Sequence, residues 1–241
     1  MEPEEDLDDL LILKETRGFD FTGYKPSTVH RRVRRRMTLL NIGAFSEYRD
    51  YLGLQPDEFG LLFDSMLINV TSFFRDPLAW QARRERVIPE LLSAKNAKAP
   101  IRAWSAGCAT GEEAYTLAIV LAEARLRDNY FELSGTKHAF RRDLRRQVIF
   151  GRNDLTRDAP ISRVNLLTAR NTLMYFNAET QANVIRRFHF ALSHPGYLFL
   201  GKAEMLLNHA DRFVPVDLRK RLFRKASQRC LSPPTLPRGL T

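Results

Sequence analysis

The chain has 241 residues, of which 44% are hydrophobic and 27% are charged, so its composition is that of an ordinary globular protein. No apolar run approaches the ~20 residues that a membrane-spanning helix needs, and the acidic N-terminus does not resemble a secretory signal. The two cysteines, Cys108 and Cys230, form neither a metal cluster nor a disulfide framework, which fits a reducing compartment. These features predict a cytoplasmic protein.

Residues 1–90 have helical spacing and predict a small all-α domain. One predicted helix follows Pro26, where Val29, Val33, Met37 and Leu40 form a single apolar stripe. The segment 25–37 carries five arginines, a lysine and a histidine without an acidic residue, within a net charge of +10. The arginines off the apolar stripe therefore point to solvent or to an acidic partner, and they are Arg31, Arg34 and Arg35.

Beyond a polar linker at 91–100, strands alternate with helices. Predicted strands lie at 101–105, 148–150 and 165–168, predicted helices at 112–124 and 178–192, and a closing antiparallel pair at 196–201 and 221–224. This alternation predicts an α/β domain over 101–228, whose mostly parallel sheet is covered by helices on both faces. Residues 229–241 are expected to form a disordered tail.

The stretch 101–124 combines an apolar run, a turn bounded by Gly107 and Gly111, and the start of an amphipathic helix. Such a turn either joins a strand to a helix and does nothing more, or it cradles the charged or hydroxyl-rich part of a cofactor. Ligands of parallel sheets bind outside the carboxyl ends of the strands. The same rim is therefore expected to carry Asp154-Leu155 and Arg170-Asn171.

Four segments resemble, in order and in rough spacing, the chemotaxis receptor methyltransferases of the CheR family. They are LINVTSFFRDP (67–77), WSAGCATGEEAYTLAI (104–119), ARNTLMYFNAETQ (169–181) and GYLFLGKAEML (196–206). The basic segment 18–37 resembles the N-terminal helical domain of that family. The likeness is closest to versions found in multidomain sensory proteins that also carry an esterase domain, so the chain is also expected to be one module of such a protein.

The resemblance implies a Rossmann-like sheet preceded by a small all-α domain. It implies an enzyme that uses S-adenosylmethionine to esterify glutamates on the cytoplasmic helices of a chemoreceptor and releases S-adenosylhomocysteine. An esterase or kinase module of the same pathway is a further expected partner. The basic helix would dock on the receptor. No metal is implied, and the five histidines have no metal-like spacing. The arginines lack interleaved aromatic residues, which argues against nucleic-acid binding.

The resemblance also implies site residues. Arg75 would contact the carboxylate of the cofactor or position the substrate glutamate, and Tyr175 would lie near the transferred methyl group. Arg75 could instead be a surface arginine that caps a helix, and Tyr175 could be ordinary core. The residues matched to cofactor contacts are Asn69, Thr71, Arg75, Gly107, Gly111, Glu112, Glu113, Asp154, Leu155, Arg170 and Asn171. Glu112 could equally be a favourable partner of the helix dipole.

The sequence departs from the family pattern near residues 125–130. About 40–50 residues are expected to be absent there, which is the length of a βα unit with its linker. The family carries in this unit the acid that binds the ribose hydroxyls. A second hypothesis is therefore an impaired family member that binds a receptor or partner without transferring methyl groups.

Overall fold

The computed structural model describes residues 21–66, 71–94, 100–123, 131–134, 137–140, 142–204, 206 and 211–227. It divides the chain into two compact units, one of residues 1–70 and 173–183 and one of residues 71–172 and 184–241. The predicted domain boundary at residue 90 therefore lies too late. Trp80, Val87 and Ile88 explain the difference, because they are buried in the same core cluster as residues of the sheet.

The described residues 21–66 of the first unit form three helices, α1 (Pro26–Leu40), α2 (Phe45–Leu54) and α3 (Pro56–Met66). Helix α1 begins at a proline, whose missing N–H costs nothing in the first turn, and ends at Asn41 with a φ of 56°. Val29, Val33 and Met37 of the predicted apolar stripe are buried, whereas Leu40 at its end is half-buried. All three helices agree with the helical spacing of residues 1–90, and residues 67–70 lie outside the described part of the chain.

An ion pair between half-buried Arg36 and buried Glu58 joins α1 to α3. The guanidinium of Arg36 donates through Nε to Glu58 Oε1 at 2.8 Å and through Nη2 to Glu58 Oε2 at 2.5 Å. The Tyr48 hydroxyl of α2 also donates to Glu58 Oε1, at 2.8 Å. Helices α1, α2 and α3 are therefore joined at one carboxylate.

The segment 173–183 belongs to the first unit although it is distant in sequence. Tyr24 forms an isolated antiparallel bridge with Phe176, and the Lys25 amide donates to the Tyr175 carbonyl at 2.9 Å. Tyr175 ends a short 3-10 turn (Leu173–Tyr175). Helix α8 (Ala178–Ala191) begins in this segment and continues into the second unit.

The second unit begins with a helical stretch of three parts, α4 (Pro77–Ala82), a π-helical turn (Arg83–Val87) and α5 (Ile88–Ser93). The first residues of the predicted linker are therefore helical, and residues 95–99 lie outside the described part. Helix α6 (Glu112–Glu123) confirms the helix predicted over 112–124. A short helix, α7 (Arg142–Arg145), follows a separate hairpin of β2 (Phe131–Ser134) and β3 (Lys137–Phe140).

The described residues of the second unit form a five-stranded mixed sheet. Its strands are β1 (Ala103–Ser105), β4 (Val164–Ala169), β5 (Leu192–Leu200), β6 (Phe213–Asp217) and β7 (Leu222–Lys225), in the order β1-β4-β5-β7-β6. Strands β1, β4 and β5 are parallel, whereas β7 pairs antiparallel with both β5 and β6. The predicted closing antiparallel pair is thus confirmed.

Helices cover both faces of this sheet. Leu166 and Phe199 belong to the core cluster that also holds residues of α4, α5 and α6. Successive side chains of a strand point to opposite faces, and Trp104 lies in register with Leu167 rather than Leu166. Its ring packs edge to face on Phe188 of α8 at 5.7 Å. The α/β fold class with a preceding helical unit is therefore confirmed.

The strand predicted over 148–150 is not formed. Within the residues that the structure describes, β1 pairs only with β4, so it ends the sheet order. The apolar residues of 148–150 find no strand to pair with, Ile149 is 91% exposed, and Phe150 instead packs on Tyr115 with ring centroids 5.5 Å apart. Among the described residues, no helix is long and apolar enough to cross a membrane.

Candidate functional site at the rim of the sheet

Two turns of the second unit meet at the carboxyl ends of β1 and β4. The chain leaves β1 at Ser105 and turns through 107–111, and it leaves β4 at Ala169 and turns through 170–172. The Ala106 amide donates to the Thr168 carbonyl at 2.7 Å, which continues the parallel ladder to the edge of the sheet. In sheets of this kind that edge is where ligands bind.

The first turn is shaped by two glycines in left-handed conformations. Gly107 has a φ of +69°, and a Cβ there would lie 2.5 Å from Thr172 Oγ1. Gly111 has a φ of +100°, and a Cβ there would lie 3.0 Å from Cζ of Phe150. A side chain at either position would be strained. Helix α6 begins directly after Gly111, so its first N–H groups, which have no partner within the helix, open on this turn.

The carboxylate of Glu113 accepts hydrogen bonds from three neighbouring side chains. Its Oε1 accepts hydrogen bonds from Thr168 Oγ1 at 2.6 Å and from Ser105 Oγ at 3.0 Å, and its Oε2 accepts one from Arg170 Nη1 at 3.3 Å. This buried carboxylate therefore fixes the start of α6 to β1 and β4. Glu112 is only half-buried and accepts a hydrogen bond from Thr110 Oγ1 at 2.5 Å.

Arg170 joins the second turn to the start of α4. Its side chain is buried and forms ion pairs with Asp76 through Nη2 and with Glu113 through Nη1. Asp76 also lies 2.6 Å from the exposed ammonium group of Lys202. Burial alone would raise the pKa of Asp76, but the hydrogen bond from Lys202 and the charge of Arg170 outweigh it and hold that pKa below its usual value.

Two hydrogen bonds anchor the segment 71–76, in which Arg75 is exposed. The Phe74 amide donates to Thr116 Oγ1 of α6 at 3.2 Å, and Trp80 Nε1 donates to the Arg75 carbonyl at 3.0 Å. Thr71 is half-buried at the start of this segment. Asn69, the other residue predicted here, lies outside the described residues.

Asp154 uses its carboxylate within its own turn. Its Oδ1 accepts hydrogen bonds from the Thr156 amide at 2.8 Å and from Thr156 Oγ1 at 2.7 Å, and its own amide donates to Asp158 Oδ2 at 2.6 Å. Leu155 is half-buried beside it. The turn is therefore ordered without help from a neighbouring strand.

The remaining predicted residues belong to the first unit. Tyr175 is buried, and its carbonyl holds the start of α1. Arg31, Arg34 and Arg35 are exposed on α1, as the apolar stripe predicts. Arg32 is buried instead.

The sequence interpretation missed several residues of the rim, namely Ser105, Asp76, Phe150, Thr168, Lys202 and Glu204. Asp76 and Glu204 lie inside the segments RDP and GKAEML, so an acidic residue beside a recognised motif was the available signal. Thr168 carried no signal, because its role depends on Glu113, which is 55 positions away. Among the described residues, no group of three or more histidine, cysteine, aspartate or glutamate side chains could hold a metal ion.

The chain matches two protein-family models. Residues 69–128 and 123–222 match the model of the CheR methyltransferase SAM-binding domain. Residues 10–67 match the model of the CheR methyltransferase all-alpha domain. These ranges follow the two-part organisation of the structure, with the change of model close to the start of the second unit at Thr71.

Relatives are found in several bacteria. The chain is 34% identical over 264 residues to an "Uncharacterized 104.1 kDa protein in hypE 3'region" of Rhodobacter capsulatus, with 92% of this chain but only 28% of that protein covered. It is 28% identical to a "Putative methyltransferase Cher3" of Pseudomonas putida, covering 87% of this chain and 92% of the relative. It is 29% identical to a "Chemotaxis protein methyltransferase" of Listeria innocua, covering 83% and 89%.

The geometry of the rim fits the cofactor of the matched family. A left-handed glycine turn followed by a helix N-terminus is a common setting for the charged and hydroxyl-rich parts of a cofactor such as S-adenosylmethionine. The buried Nε of Arg170 has no hydrogen-bond partner among the described residues, which leaves one guanidinium donor at this turn. Because the two family models together match residues 10–67 and 69–222, the chain belongs to the CheR methyltransferase family, whose members use S-adenosylmethionine to methylate chemoreceptors.

Proposed function

We propose that this chain transfers methyl groups from S-adenosylmethionine to glutamate side chains on the cytoplasmic helices of a chemoreceptor. The observation that carries the proposal is the pairing of the glycine turn with the Arg170-Asn171 turn at adjacent parallel strand ends, inside a matched SAM-binding domain. Relatives named as chemotaxis protein methyltransferases, such as the one from Listeria innocua, support the same substrate class.

The residues that would hold the cofactor lie on both turns. The glycine turn and the first N–H groups of α6 would surround its polar part, with Glu112, Glu113, Arg170 and Asn171 at the border. Arg75 is exposed beside Asp76, and its planar guanidinium suits a carboxylate of either the cofactor or the substrate. Asn69, Thr71 and the Asp154-Leu155 turn are proposed as further contacts on the strength of the family resemblance.

Methyl transfer requires little acid–base chemistry from this chain. The bound cofactor supplies a sulfonium methyl group that is already electrophilic. A glutamate carboxylate is ionised at pH 7 and needs no general base to become a nucleophile. The work left to the protein is to align the carboxylate oxygen with the methyl carbon and to keep water away. Arg75 and Tyr175 are the residues proposed to perform that alignment.

The exposed arginines of α1 are the proposed docking surface for the receptor. Arg31, Arg34 and Arg35 carry three positive charges on one helix, which complements an acidic methylation region and mainly raises the rate and selectivity of encounter. Action on cytoplasmic receptor helices implies a cytoplasmic location. An esterase or kinase module of the same pathway is a proposed additional partner.

We also propose that the α/β domain lacks one βα unit near residues 125–130. The alignment with the Rhodobacter relative spans 264 residues, whereas 92% of 241 residues is about 222, so about 42 residues of the relative have no counterpart. The two matches to the SAM-binding domain meet at 123–128, and β1 ends the described sheet. Loss of two ribose hydrogen bonds to a charged acceptor would weaken cofactor binding by about 3–6 kcal/mol.

The decisive experiment is calorimetric titration of the purified chain with S-adenosylhomocysteine, followed by a methylation assay on a cytoplasmic receptor fragment. We expect micromolar binding and transfer of labelled methyl groups in a form that base releases as methanol, which is the signature of a glutamate ester. Arg75→Ala should abolish transfer. No binding heat at high protein concentration would contradict the proposal and favour a receptor- or partner-binding module that does not transfer methyl groups.

A further inference from the structure

Glu204 is a buried carboxylate just beyond the carboxyl end of β5. Its side chain is only 4% exposed. Strand β5 neighbours β4, so Glu204 lies beside the turn that carries Arg170 and Asn171. A buried carboxylate is stable only where hydrogen-bond donors surround it.

Those donors are main-chain amides from two strand ends. Glu204 Oε2 accepts hydrogen bonds from the Gly201 amide at 2.7 Å and from the Asn171 amide at 3.1 Å, and Oε1 accepts one from the Thr172 amide at 2.8 Å. Asn171 has a φ of 57°. One side chain thus fixes the sharp turn after β4 to the end of β5, through charge-assisted bonds.

The packing around Gly201 leaves no room for a side chain at that position. A Cβ at Gly201 would lie 2.7 Å from the Asn171 nitrogen and 3.0 Å from Glu204 Oε2. The turn after β4 and the end of β5 therefore touch through backbone atoms, and Glu204 links the three amides named above.

The link continues to the glycine turn. The hydroxyl of Thr172 lies 3.3 Å from two carbonyl oxygens, that of Ala106 and that of Arg170 in its own turn, and the same oxygen fills the space where a Cβ of Gly107 would stand. Displacement of Thr172 would therefore displace Gly107. Glu204, Thr172 and Gly107 form a continuous connection from the end of β5 to the end of β1.

We propose that Glu204 is a positioning residue for methyl transfer, which holds the Arg170-Asn171 turn and, through Thr172, the Gly107 turn in the arrangement that binds S-adenosylmethionine. This inference rests on the proposed function, because it concerns the cofactor site of that reaction. Glu204 itself need not touch the cofactor. It acts by fixing the backbone of two turns.

Glu204→Gln is the sharpest test, because it keeps the size of the side chain. Glutamine has one acceptor oxygen, so its NH₂ group would face an amide donor and at least one of the three bonds would be lost. Glu90→Gln is the matched control. Glu90 accepts a hydrogen bond from the Tyr197 hydroxyl in the same unit, away from either turn of the rim.

Two measurements separate positioning from general stability. Titration with S-adenosylhomocysteine should show affinity lowered about tenfold or more in Glu204→Gln and unchanged in Glu90→Gln. Amide NMR spectra of the unliganded proteins should show the Asn171, Thr172 and Gly201 resonances shifted in Glu204→Gln alone. S-adenosylhomocysteine affinity of Glu204→Gln within about twofold of the wild-type value would overturn the inference. It would also be overturned if Glu90→Gln, at the same thermal midpoint as Glu204→Gln, lost as much affinity.

A second variant guards against misfolding of the first. Thr172→Val removes the hydroxyl that reaches Ala106 but keeps the amide bond to Glu204, so we expect weaker S-adenosylhomocysteine binding with an unshifted Gly201 amide. Unchanged affinity in this variant would contradict the connection to the glycine turn. Absence of binding by the wild-type chain would instead overturn the proposed function, and the cofactor role of Glu204 would fall with it.

Discussion

The hydroxyl of Thr168 in β4 donates a hydrogen bond of 2.6 Å to the carboxylate of Glu113 at the start of α6. Ser105 of β1 donates to the same oxygen at 3.0 Å. The two parallel strands that border the glycine turn are thereby tied to the helix that follows it. The turn is held at both ends by one side chain, so its shape depends on a buried carboxylate rather than on the glycines alone.

Removal of that carboxylate should destabilise the second unit. Glu113→Ala would leave Arg170 with one fewer counter-charge in a buried position, and breaking a buried ion pair typically costs about 3–5 kcal/mol. Urea unfolding followed by circular dichroism measures the loss. Glu112→Gln is the matched control, since Glu112 is half-buried and its carboxylate accepts a hydrogen bond from Thr110, two positions away. A loss as large in the control would show that the network is not the cause.

Replacement of the buried Arg83 should stabilise the second unit, in contrast to the replacement of Glu113. Arg83 is fully buried between the rings of Trp80 and Phe199, and none of its three guanidinium nitrogens has a hydrogen-bond partner among the described residues. Burial holds its pKa well below the usual value. Arg83→Met should raise the free energy of unfolding, by about 1–4 kcal/mol, because an apolar side chain of similar length avoids the desolvation cost.

Chemical denaturation of Arg83→Met beside the wild type measures this gain. Arg84→Met is the control, because Arg84 is exposed and forms an ion pair with Glu123 at the surface. A destabilised Arg83→Met protein would mean that the stacking of the guanidinium on two rings outweighs its desolvation.

The Glu58 carboxylate should make the helical unit sensitive to acid. Burial alone would raise the pKa of Glu58, but hydrogen bonds from Arg36 and Tyr48 outweigh it, so the folded pKa lies below the unfolded one. The stability gained is then fully present above the unfolded pKa of about 4.3, and it is lost as the pH falls through the lower folded pKa.

Glu58→Gln tests this pH dependence. The difference in unfolding free energy between wild type and variant should be larger at neutral pH than in acid below that window. Asp57→Asn, at an exposed neighbouring position, is the matched control. A difference that is constant with pH would contradict the assignment.

Sequence reasoning predicted the elements whose pattern is local. The apolar stripe of α1, the strand–glycine–helix order around Gly107 and the closing antiparallel pair of β5 and β7 are all readable from periodicity and turn residues. The strand over 148–150 was wrong for a physical reason. Its apolar residues have strand propensity, but a strand forms only where a neighbour pairs with it.

The rim shows the same division between local and distant information. Arg170 and Asn171 follow β4 as predicted, because a turn must follow a strand. That Arg170 would pair with Asp76, 94 positions away, and that segment 173–183 would join the helical unit, are consequences of tertiary packing. A single sequence carries no periodicity that encodes such pairs.

Charge reversal on α1 tests receptor docking. Replacement of Arg31, Arg34 and Arg35 by glutamate should lower receptor methylation about tenfold or more at low ionic strength, because it removes the electrostatic attraction that accelerates encounter. Added salt should shrink the difference, since it screens exposed charges. S-adenosylhomocysteine affinity should be unchanged. Reversal of Arg145, Arg186 and Arg219, which are exposed elsewhere, is the matched control. Unchanged methylation at low salt would exclude the docking role.

Gly107→Ala tests the glycine turn itself. The φ of +69° is unfavourable for alanine, and its methyl group would stand 2.5 Å from Thr172 Oγ1. We expect destabilisation of more than about 1 kcal/mol, with a parallel loss of S-adenosylhomocysteine binding. The double variant Gly107→Ala/Thr172→Ala should recover the part of the lost stability that is due to the collision with Thr172. The part that is due to the unfavourable φ should remain.

Gly53→Ala is the control for Gly107→Ala, because Gly53 lies within helix α2 with no atom within 4 Å of its would-be Cβ. Alanine there should stabilise the first unit by up to about 1 kcal/mol. Thermal midpoints and binding isotherms of the four proteins separate backbone strain from collision. If Gly107→Ala bound S-adenosylhomocysteine like the wild type, the turn would serve only to connect β1 with α6.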